Sequence, residues 1–210
     1  MSYAVKECFL TLQGEGMQAG CRAVFLRFAG CNLWTGREED RASAQCRFCD
    51  TDFVGMDGEG GGKFHSADEL AAHVETLWGD GEDRRLVVIT GGEPMLQLDE
   101  ELLETLHRRG FRVAVETNGT LPALRGLDWI CVSPKAGTNV VQREGDELKL
   151  VWPQAGIDPA ELEGWGFDHF LVQPMDCAEP QQAADAAIKL AMDRPKWRLT
   201  LQAHKVIGLP

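Results

Sequence analysis

The chain has 210 residues, a length typical of one domain with a substantial core and too short for two independent enzymes. Its 21 basic against 33 acidic residues give a net charge of -12, so it lacks the basic excess on which binding to a nucleic-acid backbone relies. The first residues show no signal-peptide pattern and no apolar run approaches a membrane span. We therefore expect a cytoplasmic protein that binds neither nucleic acid nor membrane.

Short apolar runs recur along the chain, and a polar or glycine-rich signature follows each one. Continuous runs of this kind are typical of parallel strands that are buried on both faces. They cover residues 23–26, 86–89, 112–115, 129–132 and 169–172, and a last strand-like run at residues 198–201 precedes His204. Because the carboxyl ends of parallel strands meet at one edge of a sheet, we expect the signatures to converge there.

Three main helices are predicted between these strands. A capping box from Ser66 to Glu69 opens the first, at about residues 67–78. Asp99 opens the second and Gly110 ends it, while an alanine-rich segment at about residues 181–192 forms the third. This pattern predicts a single α/β domain over residues 1–210, built as a partial, open (β/α) barrel of about six parallel strands.

Three of the seven cysteines form a C-x14-C-x2-C pattern at Cys31, Cys46 and Cys49. A structural zinc site normally takes four ligands, and no fourth Cys or His stands at a zinc-finger distance. Three thiolates can instead hold a [4Fe-4S] cluster and leave one iron free for a small molecule. A thioredoxin-like redox pair, or a zinc site completed by a distant residue, remains as an alternative. The other cysteines are predicted to be ordinary buried or partly buried thiols: Cys8, Cys21, Cys131 and Cys177.

Five further motifs accompany the cysteines: Leu12-Gln13-Gly14-Glu15-Gly16, Gly91-Gly92-Glu93, Glu116-Thr117-Asn118-Gly119, Ser133-Pro134-Lys135 and Gln173-Pro174-Met175-Asp176. Together they resemble the 7-carboxy-7-deazaguanine synthase family of the radical S-adenosylmethionine (SAM) superfamily, over nearly the whole chain. One departure is the first cysteine gap, which is eleven residues longer than in the C-x3-C-x2-C pattern of the superfamily. The resemblance accommodates it, since an insertion of this kind is known in this family.

The resemblance implies that Cys31, Cys46 and Cys49 ligate the cluster, and it assigns SAM to a larger set of residues. That set is Phe48, Asp50, Gly92, Glu93, Ser133, Pro134, Lys135, Gln173, Pro174, Met175 and Asp176. Glycines at a strand end allow the backbone to approach a ligand closely, with Glu93 or nearby carbonyls receiving its ammonium group. Taken alone, the glycine pair would also fit a tight strand-to-helix turn, and Lys135 a surface cation.

The implied substrate is 6-carboxy-5,6,7,8-tetrahydropterin, which carries a guanidine-like edge and a carboxylate. The residues predicted to bind it are Leu12, Gln13, Gly14, Arg27, Thr90, Glu116, His204 and the carboxylate of Pro210. Arg27 offers a planar fork for a carboxylate or ring oxygen, although a structural ion pair is the alternative. Thr51 matches a position that helps to bind Mg²⁺ in this family; without the resemblance it would be assigned to a cap or turn.

The implied reaction is a radical ring contraction in queuosine precursor biosynthesis. The reduced cluster cleaves SAM, the resulting 5'-deoxyadenosyl radical abstracts hydrogen from C6, ammonia leaves, and 7-carboxy-7-deazaguanine forms while SAM is regenerated. An external reductant such as flavodoxin is implied because the chain has no second cluster motif, and the family expectation is a homodimer. Two alternatives remain: an activating enzyme of the same superfamily that acts on a glycine of a partner protein, and a non-enzymatic zinc-binding module.

Overall fold

Residues 2–209, which a computed structural model of the protein describes, fold around one nine-stranded sheet. Its strands are β1 (Tyr3–Leu12), β2 (Arg22–Phe28), β3 (Gly62–Phe64), β4 (Leu86–Gly91), β5 (Arg112–Thr117), β6 (Trp129–Val132), β7 (Glu144–Trp152), β8 (Gly166–Pro174) and β9 (Trp197–Leu199). Their order across the sheet is β3-β1-β2-β4-β5-β6-β7-β8-β9. Neighbours from β2 to β9 pair in parallel, whereas β1 pairs antiparallel with β2 and β3. The predicted open, largely parallel sheet is confirmed.

Helices cover the outer face of this sheet. The described residues form α1 (Ala67–Trp78), α2 (Glu100–Arg108), α3 (Pro159–Leu162), α4 (Pro180–Asp193) and α5 (Ala203–Ile207), with 3-10 helices at Glu38–Ser43 and Pro94–Leu96. The predicted helices correspond to α1, α2 and α4. Ser66 Oγ accepts from the Glu69 N–H at 3.1 Å and Asp99 Oδ1 from the Leu102 N–H at 2.9 Å, so side chains cap the first turns of α1 and α2. None of the helices in residues 2–209 has the length and apolar character needed to cross a membrane.

Each central strand is buried on both faces because its side chains alternate between two apolar layers. On β4, Val87 and Ile89 pack into the outer core with α1 and α2, whereas Val88 faces the inside of the curved sheet. A second outer cluster joins β7 and β8 to α4 through residues such as Leu148 and Val172. The inner positions change from apolar to polar toward the carboxyl ends of the strands, which is where the site lies.

Two long strands, β1 and β7, are absent from the sequence prediction. Both carry charged residues between apolar ones: on β7, Glu147 and Lys149 alternate with Leu148 and Leu150. All four of these β7 side chains are buried, so the charges face the interior rather than solvent. The prediction for the last strand is also wrong at its end, because β9 stops at Leu199 and His204 lies in α5.

The cysteines outside the cluster pattern differ from the prediction in part. Cys8 and Cys131 are buried, as expected of ordinary thiols, but Cys21 and Cys177 are exposed. Both exposed residues stand in loops, one just before β2 and the other between β8 and α4. The expectation of four buried or partly buried thiols is therefore wrong for these two.

Candidate active site

A cavity of about 410 Å³ opens at the carboxyl ends of the parallel strands. Most of the residues predicted to bind the cluster, SAM or substrate line it: Leu12, Gln13, Gly14, Arg27, Cys46, Phe48, Cys49, Asp50, Thr51, Thr90, Gly92, Glu116, Ser133, Lys135, Gln173, Pro174, Asp176 and His204. Four predicted residues do not line it: Cys31, Glu93, Pro134 and Met175. The Pro210 carboxylate lies outside the described residues. The sheet thus brings together signatures that are spread over nearly two hundred positions of the sequence.

The loop after β2 carries the three clustered cysteines, and its backbone folds the long insertion back on itself. Leu33 O accepts from the Gln45 N–H at 3.1 Å, which closes residues 33–45 into a side loop and returns the chain near Cys31. Arg41 stabilises the returning segment of this loop by donating to the Arg47 and Cys49 carbonyls at 3.0 and 3.1 Å. The extra eleven residues of the first gap therefore do not separate the ends of the motif in space.

The three thiols have different electrostatic surroundings. Burial raises the pKa of Cys31, and a hydrogen bond between Cys46 and Cys49 lowers the pKa of Cys49 to about 6 while raising that of Cys46. Among the described residues, no three Cys, His, Asp or Glu side chains converge closely enough to hold a single metal ion. A cubane cluster makes a different demand, because each cysteine binds a different iron.

Gly92 lets the cysteine loop lie directly against the end of β4. A Cβ atom at this position would stand 2.4 Å from Gly30 O and 2.5 Å from Cys31 Cβ, closer than such atoms can approach. The next residue completes the junction, because the Glu93 N–H donates to Gly30 O at 3.0 Å. The glycine pair therefore sets the position of Cys31. The sequence pattern alone does not decide whether these glycines form a turn or approach a ligand.

Glu93 is fully buried, and its carboxylate is occupied within the protein. It accepts from Thr117 Oγ1 at 2.7 Å, from the Asn118 N–H at 2.8 Å and from the Met95 N–H at 3.0 Å. Burial raises the pKa of Glu93, and these three donors oppose that effect. The side chain therefore ties the end of β4 to the end of β5, and its predicted role as a SAM ligand stays a prediction.

The residues after β6 and β8 form the wall nearest the cysteine loop. Lys135 Nζ donates to Ser133 Oγ at 2.7 Å and lies 5.8 Å from the ring centre of Phe48, while burial lowers the pKa of Lys135. Gln173 is 4% exposed, and its Oε1 has no hydrogen-bond partner among residues 2–209. A buried acceptor that faces a cavity without a partner is typical of a site whose ligand supplies the donor.

Pro134 and Met175 stand behind this wall. The Pro134 carbonyl accepts from Gln154 Nε2 at 3.3 Å, and the Met175 N–H donates to Trp152 O at 2.8 Å. Both contacts join the loops after β6 and β8 to the end of β7. These two residues therefore support the wall from outside, and direct contact of either with a ligand stays a prediction.

Charged and amide side chains line the opposite wall. Gln13 Nε2 donates to Glu116 Oε1 at 2.9 Å, and Arg27 Nε donates to Glu7 Oε1 at 2.6 Å across the β1–β2 pair. The ion-pair alternative for Arg27 is thus present, although the guanidinium also lines the cavity. Glu7 was not predicted; it stands on β1, and only the recognition of that strand could have placed it opposite Arg27.

Thr51 lies between the cysteine loop and this polar wall and is partly buried. Its backbone carbonyl accepts from Cys49 Sγ at 3.8 Å, and its neighbour Asp52 pairs with Lys6 at 2.8 Å. Lys6 also pairs with Asp57 at 2.7 Å, so this ammonium holds the segment after the cysteines against β1. The Thr51 hydroxyl is therefore carried by an anchored segment at the cavity wall.

Helix α5 closes one side of the cavity. The Ala203 N–H donates to Gly14 O at 2.9 Å, and His204 packs so closely on Gly14 that a Cβ there would stand 2.2 Å from His204 Nδ1. Lys205 Nζ bridges Asp50 Oδ2 at 2.7 Å and Asp176 Oδ2 at 2.5 Å. The structure thus brings His204 to the cavity, although from a helix rather than from a strand.

Besides Glu7, the charged cavity residues that the sequence prediction missed include Glu15, Lys149 and Lys205. Glu15 lies inside a motif that the sequence does show, so its neighbours could have suggested it. Lys149 and Lys205 carry no local pattern, and only their contacts in the folded chain identify them.

Comparisons with known proteins identify the family of the chain. The profile of the Radical SAM superfamily matches residues 41–146. The 7-carboxy-7-deazaguanine synthases of Caulobacter vibrioides and Bordetella pertussis are each 59% identical to the chain over 210 residues, covering 100% of both chains in each comparison. The crystal structure of QueE from Escherichia coli is 28% identical, with a TM-score of 0.71, over 97% of this chain and 95% of that one. The chain therefore belongs to the 7-carboxy-7-deazaguanine synthase family of the radical SAM superfamily.

Proposed function

We propose that the protein is a 7-carboxy-7-deazaguanine synthase that contracts the ring of 6-carboxy-5,6,7,8-tetrahydropterin and releases ammonia. The observation that carries the proposal is the meeting of two features at one cavity: the cysteine loop, of which Cys46 and Cys49 line the cavity, and a wall of carboxylate, amide and guanidinium groups. The names of the full-length relatives support the same activity.

The donor set fits a [4Fe-4S] cluster and SAM. Cys31, Cys46 and Cys49 would hold three irons, and the fit rests on the glycine junction that packs Cys31 against β4. The unpaired Gln173 Oε1 and the Lys135 ammonium would face SAM from the neighbouring wall. When bound, the cluster and SAM supply one-electron cleavage chemistry that abstracts hydrogen from an unactivated carbon.

The chain's own residues would then bind and orient the pterin. The Glu116 carboxylate and the Gln13 amide suit the amino and ring N–H donors of the guanidine-like edge, while Arg27 suits the substrate carboxylate. His204, seated on Gly14, would close the site against water. A closed site also favours return of the hydrogen atom rather than its loss, which supports the proposal that SAM is regenerated.

Mg²⁺, an electron donor and a second subunit complete the proposal. A hard oxygen ligand such as the Thr51 hydroxyl, together with the substrate carboxylate and water, suits Mg²⁺. The remaining four cysteines are scattered, which supports an external reductant such as flavodoxin. The homodimer and the cytoplasmic location rest on the family resemblance and on the sequence.

The test is anaerobic incubation of the reconstituted protein with SAM, reductant and 6-carboxy-5,6,7,8-tetrahydropterin deuterated at C6, followed by mass analysis. The expected products are 7-carboxy-7-deazaguanine and ammonia, with deuterium in the 5' position of recovered SAM and many products per SAM destroyed. An activating enzyme would instead consume SAM without pterin-dependent turnover. A colourless protein that binds zinc and no iron would refute the cluster as well.

A further inference from the structure

Lys149 is a buried lysine between two carboxylates at the polar wall of the cavity. Its residue exposure is 4%, and its Nζ donates to Glu15 Oε2 and, at 3.2 Å, to Glu116 Oε2. Lysines are almost never this buried unless they are paired. The two carboxylates therefore offset the free-energy cost of removing the Lys149 ammonium from water. The ammonium in turn stabilises their negative charges.

The electrostatic balance of this group favours the charged forms of Glu15 and Lys149. Burial alone would raise the pKa of Glu15, but the Lys149 ammonium and the Gln202 amide outweigh it and hold that pKa below its ordinary value. Burial alone would lower the pKa of Lys149, yet Glu116 and Glu15 raise it well above the ordinary value. The ammonium and the Glu15 carboxylate therefore stabilise each other's charged form.

The geometry gives Glu116 a fixed orientation. Gln13 Nε2 donates to its Oε1 at 2.9 Å, and Lys149 Nζ donates to its Oε2 at 3.2 Å. Each carboxylate oxygen can accept a second hydrogen bond, so both remain available to a ligand that donates two in parallel. Lys149 thereby acts on the ligand through Glu116.

We propose that Lys149 is a positioning residue that holds Glu116 as a two-oxygen acceptor for the amino and ring N–H groups of the pterin. The inference rests on the proposed function, since it takes the pterin edge as the ligand of Glu116. It adds a specificity determinant: a 2-amino-4-oxo ring supplies both donors, whereas the corresponding 2,4-dioxo ring lacks the amino group. We expect the 2-amino-4-oxo ring to bind about tenfold or more tightly than the 2,4-dioxo ring, because its amino group donates a charge-assisted hydrogen bond that the dioxo ring cannot make.

Other titratable groups face Lys149 and its two carboxylate partners, and a measurement of pH dependence must take them into account. They come from each element around this group: Cys131 on β6, Glu147 on β7 and His204 on α5. Burial raises the pKa of Cys131 well above its ordinary value, so it stays a neutral thiol. His204 is present in every variant described below, and each variant is compared with the wild type at the same pH.

The test measures binding of 6-carboxypterin, an oxidised analogue that is not turned over, to the reconstituted holoenzyme with SAM present, by calorimetry between about pH 6 and pH 8. In Lys149→Met, two partly buried carboxylates face each other without a cation, and repulsion favours retention of a proton between them. We expect affinity to fall by about tenfold or more at the acid end and to recover as pH rises. The preference for 6-carboxypterin over 6-carboxylumazine should shrink in parallel.

Three further variants separate positioning from folding. Lys149→Arg keeps the positive charge and should bind with wild-type pH dependence. The double variant Lys149→Met with Glu15→Gln removes the pair that shares the proton, so its pH dependence should disappear; it also serves if the single variant does not fold. Glu144→Gln changes an exposed carboxylate at the beginning of the same strand, and it should bind as the wild type does.

Two outcomes would overturn the inference while leaving the proposed function intact. One is Lys149→Met binding 6-carboxypterin as tightly as the wild type at every pH. The other is a loss of affinity that is the same at every pH in the single and double variants, which a structural defect alone would produce. A wild-type protein that binds neither pterin would instead reject the proposed function itself.

Discussion

Gly92→Ala tests whether the close approach of β4 and the cysteine loop positions the cluster ligands. The added Cβ would stand 2.4 Å from Gly30 O and 2.5 Å from Cys31 Cβ, whereas ordinary contacts begin at 3.4 Å. Both neighbours belong to the loop backbone or lie next to it, so the loop must retreat by about 1 Å. Overpacking of this kind costs about 1–3 kcal/mol, which in a chain of this length lowers Tm by several degrees.

The larger expected effect is on cluster assembly. Metal sites hold their ligand distances to within about 0.2 Å, so a displacement of about 1 Å moves Cys31 out of range of the cluster that Cys46 and Cys49 can hold. We expect Gly92→Ala to retain much less iron and sulfide than the wild type after anaerobic reconstitution. The assay is iron and sulfide content per chain, with Tm measured on the same preparations.

Gly81→Ala is the matched control. Gly81 also has no left-handed backbone conformation, and a Cβ there would find its nearest neighbour, Trp78 Nε1, at 3.6 Å. This variant should keep both iron content and Tm. Wild-type iron content and Tm in Gly92→Ala would refute the reasoning, because the junction would then tolerate the methyl group without moving Cys31.

Four other predictions follow from the same contacts. Cys46→Ala should lose cluster-dependent absorbance and turnover, whereas Cys177→Ala, which changes an exposed thiol, should keep both; full iron content in the first would defeat the ligand assignment. Glu93→Gln should lower the free energy of unfolding by about 1–3 kcal/mol in denaturant titrations, because an amide N–H₂ replaces an acceptor of buried donors. Tyr3→Phe should cost about 1 kcal/mol by the same assay, since the buried hydroxyl bonds a helix-capping carboxylate at 2.7 Å; no change would show that bond to be neutral. Thr51→Ala should reduce the response of the rate to added Mg²⁺ while Thr51→Ser restores it in part, and unchanged Mg²⁺ dependence would sink the metal assignment.

The parallel sheet could be predicted because its central strands are visible in the sequence as continuous apolar runs. Residues such as Val87 and Ile89 must be apolar to pack against helices, and Val88 must be apolar to fill the inside of the sheet. A strand with both faces buried has little freedom in composition. The same logic predicts where the site lies, because a polar residue at the end of such a strand needs a partner, either in the protein or in a ligand.

The polar wall could be predicted only in part, because its interactions join segments distant in sequence. Glu147 and Lys149 alternate with leucines in a pattern that also describes a surface strand. What distinguishes the buried case is the presence of partners, and the Glu15 partner of Lys149 lies 134 positions away. Likewise, nothing near Arg27 in sequence indicates that Glu7, on an unpredicted strand, would neutralise it.

The contact between the segment around Gly14 and helix α5 influences the order in which parts of the protein fold. Gln202 bonds Glu15 across 187 positions, and Ala203 bonds Gly14 beside it. Contacts of such sequence separation carry a large loop-closure entropy and form late, after the sheet and its helices have condensed. On the ribosome, the segment around Gly14 emerges before its partner and waits until Gln202 and Ala203 have been synthesised. The polar wall should therefore be the last part of the cavity to form, and the cysteine loop should reach its fold before the cavity beside it can close.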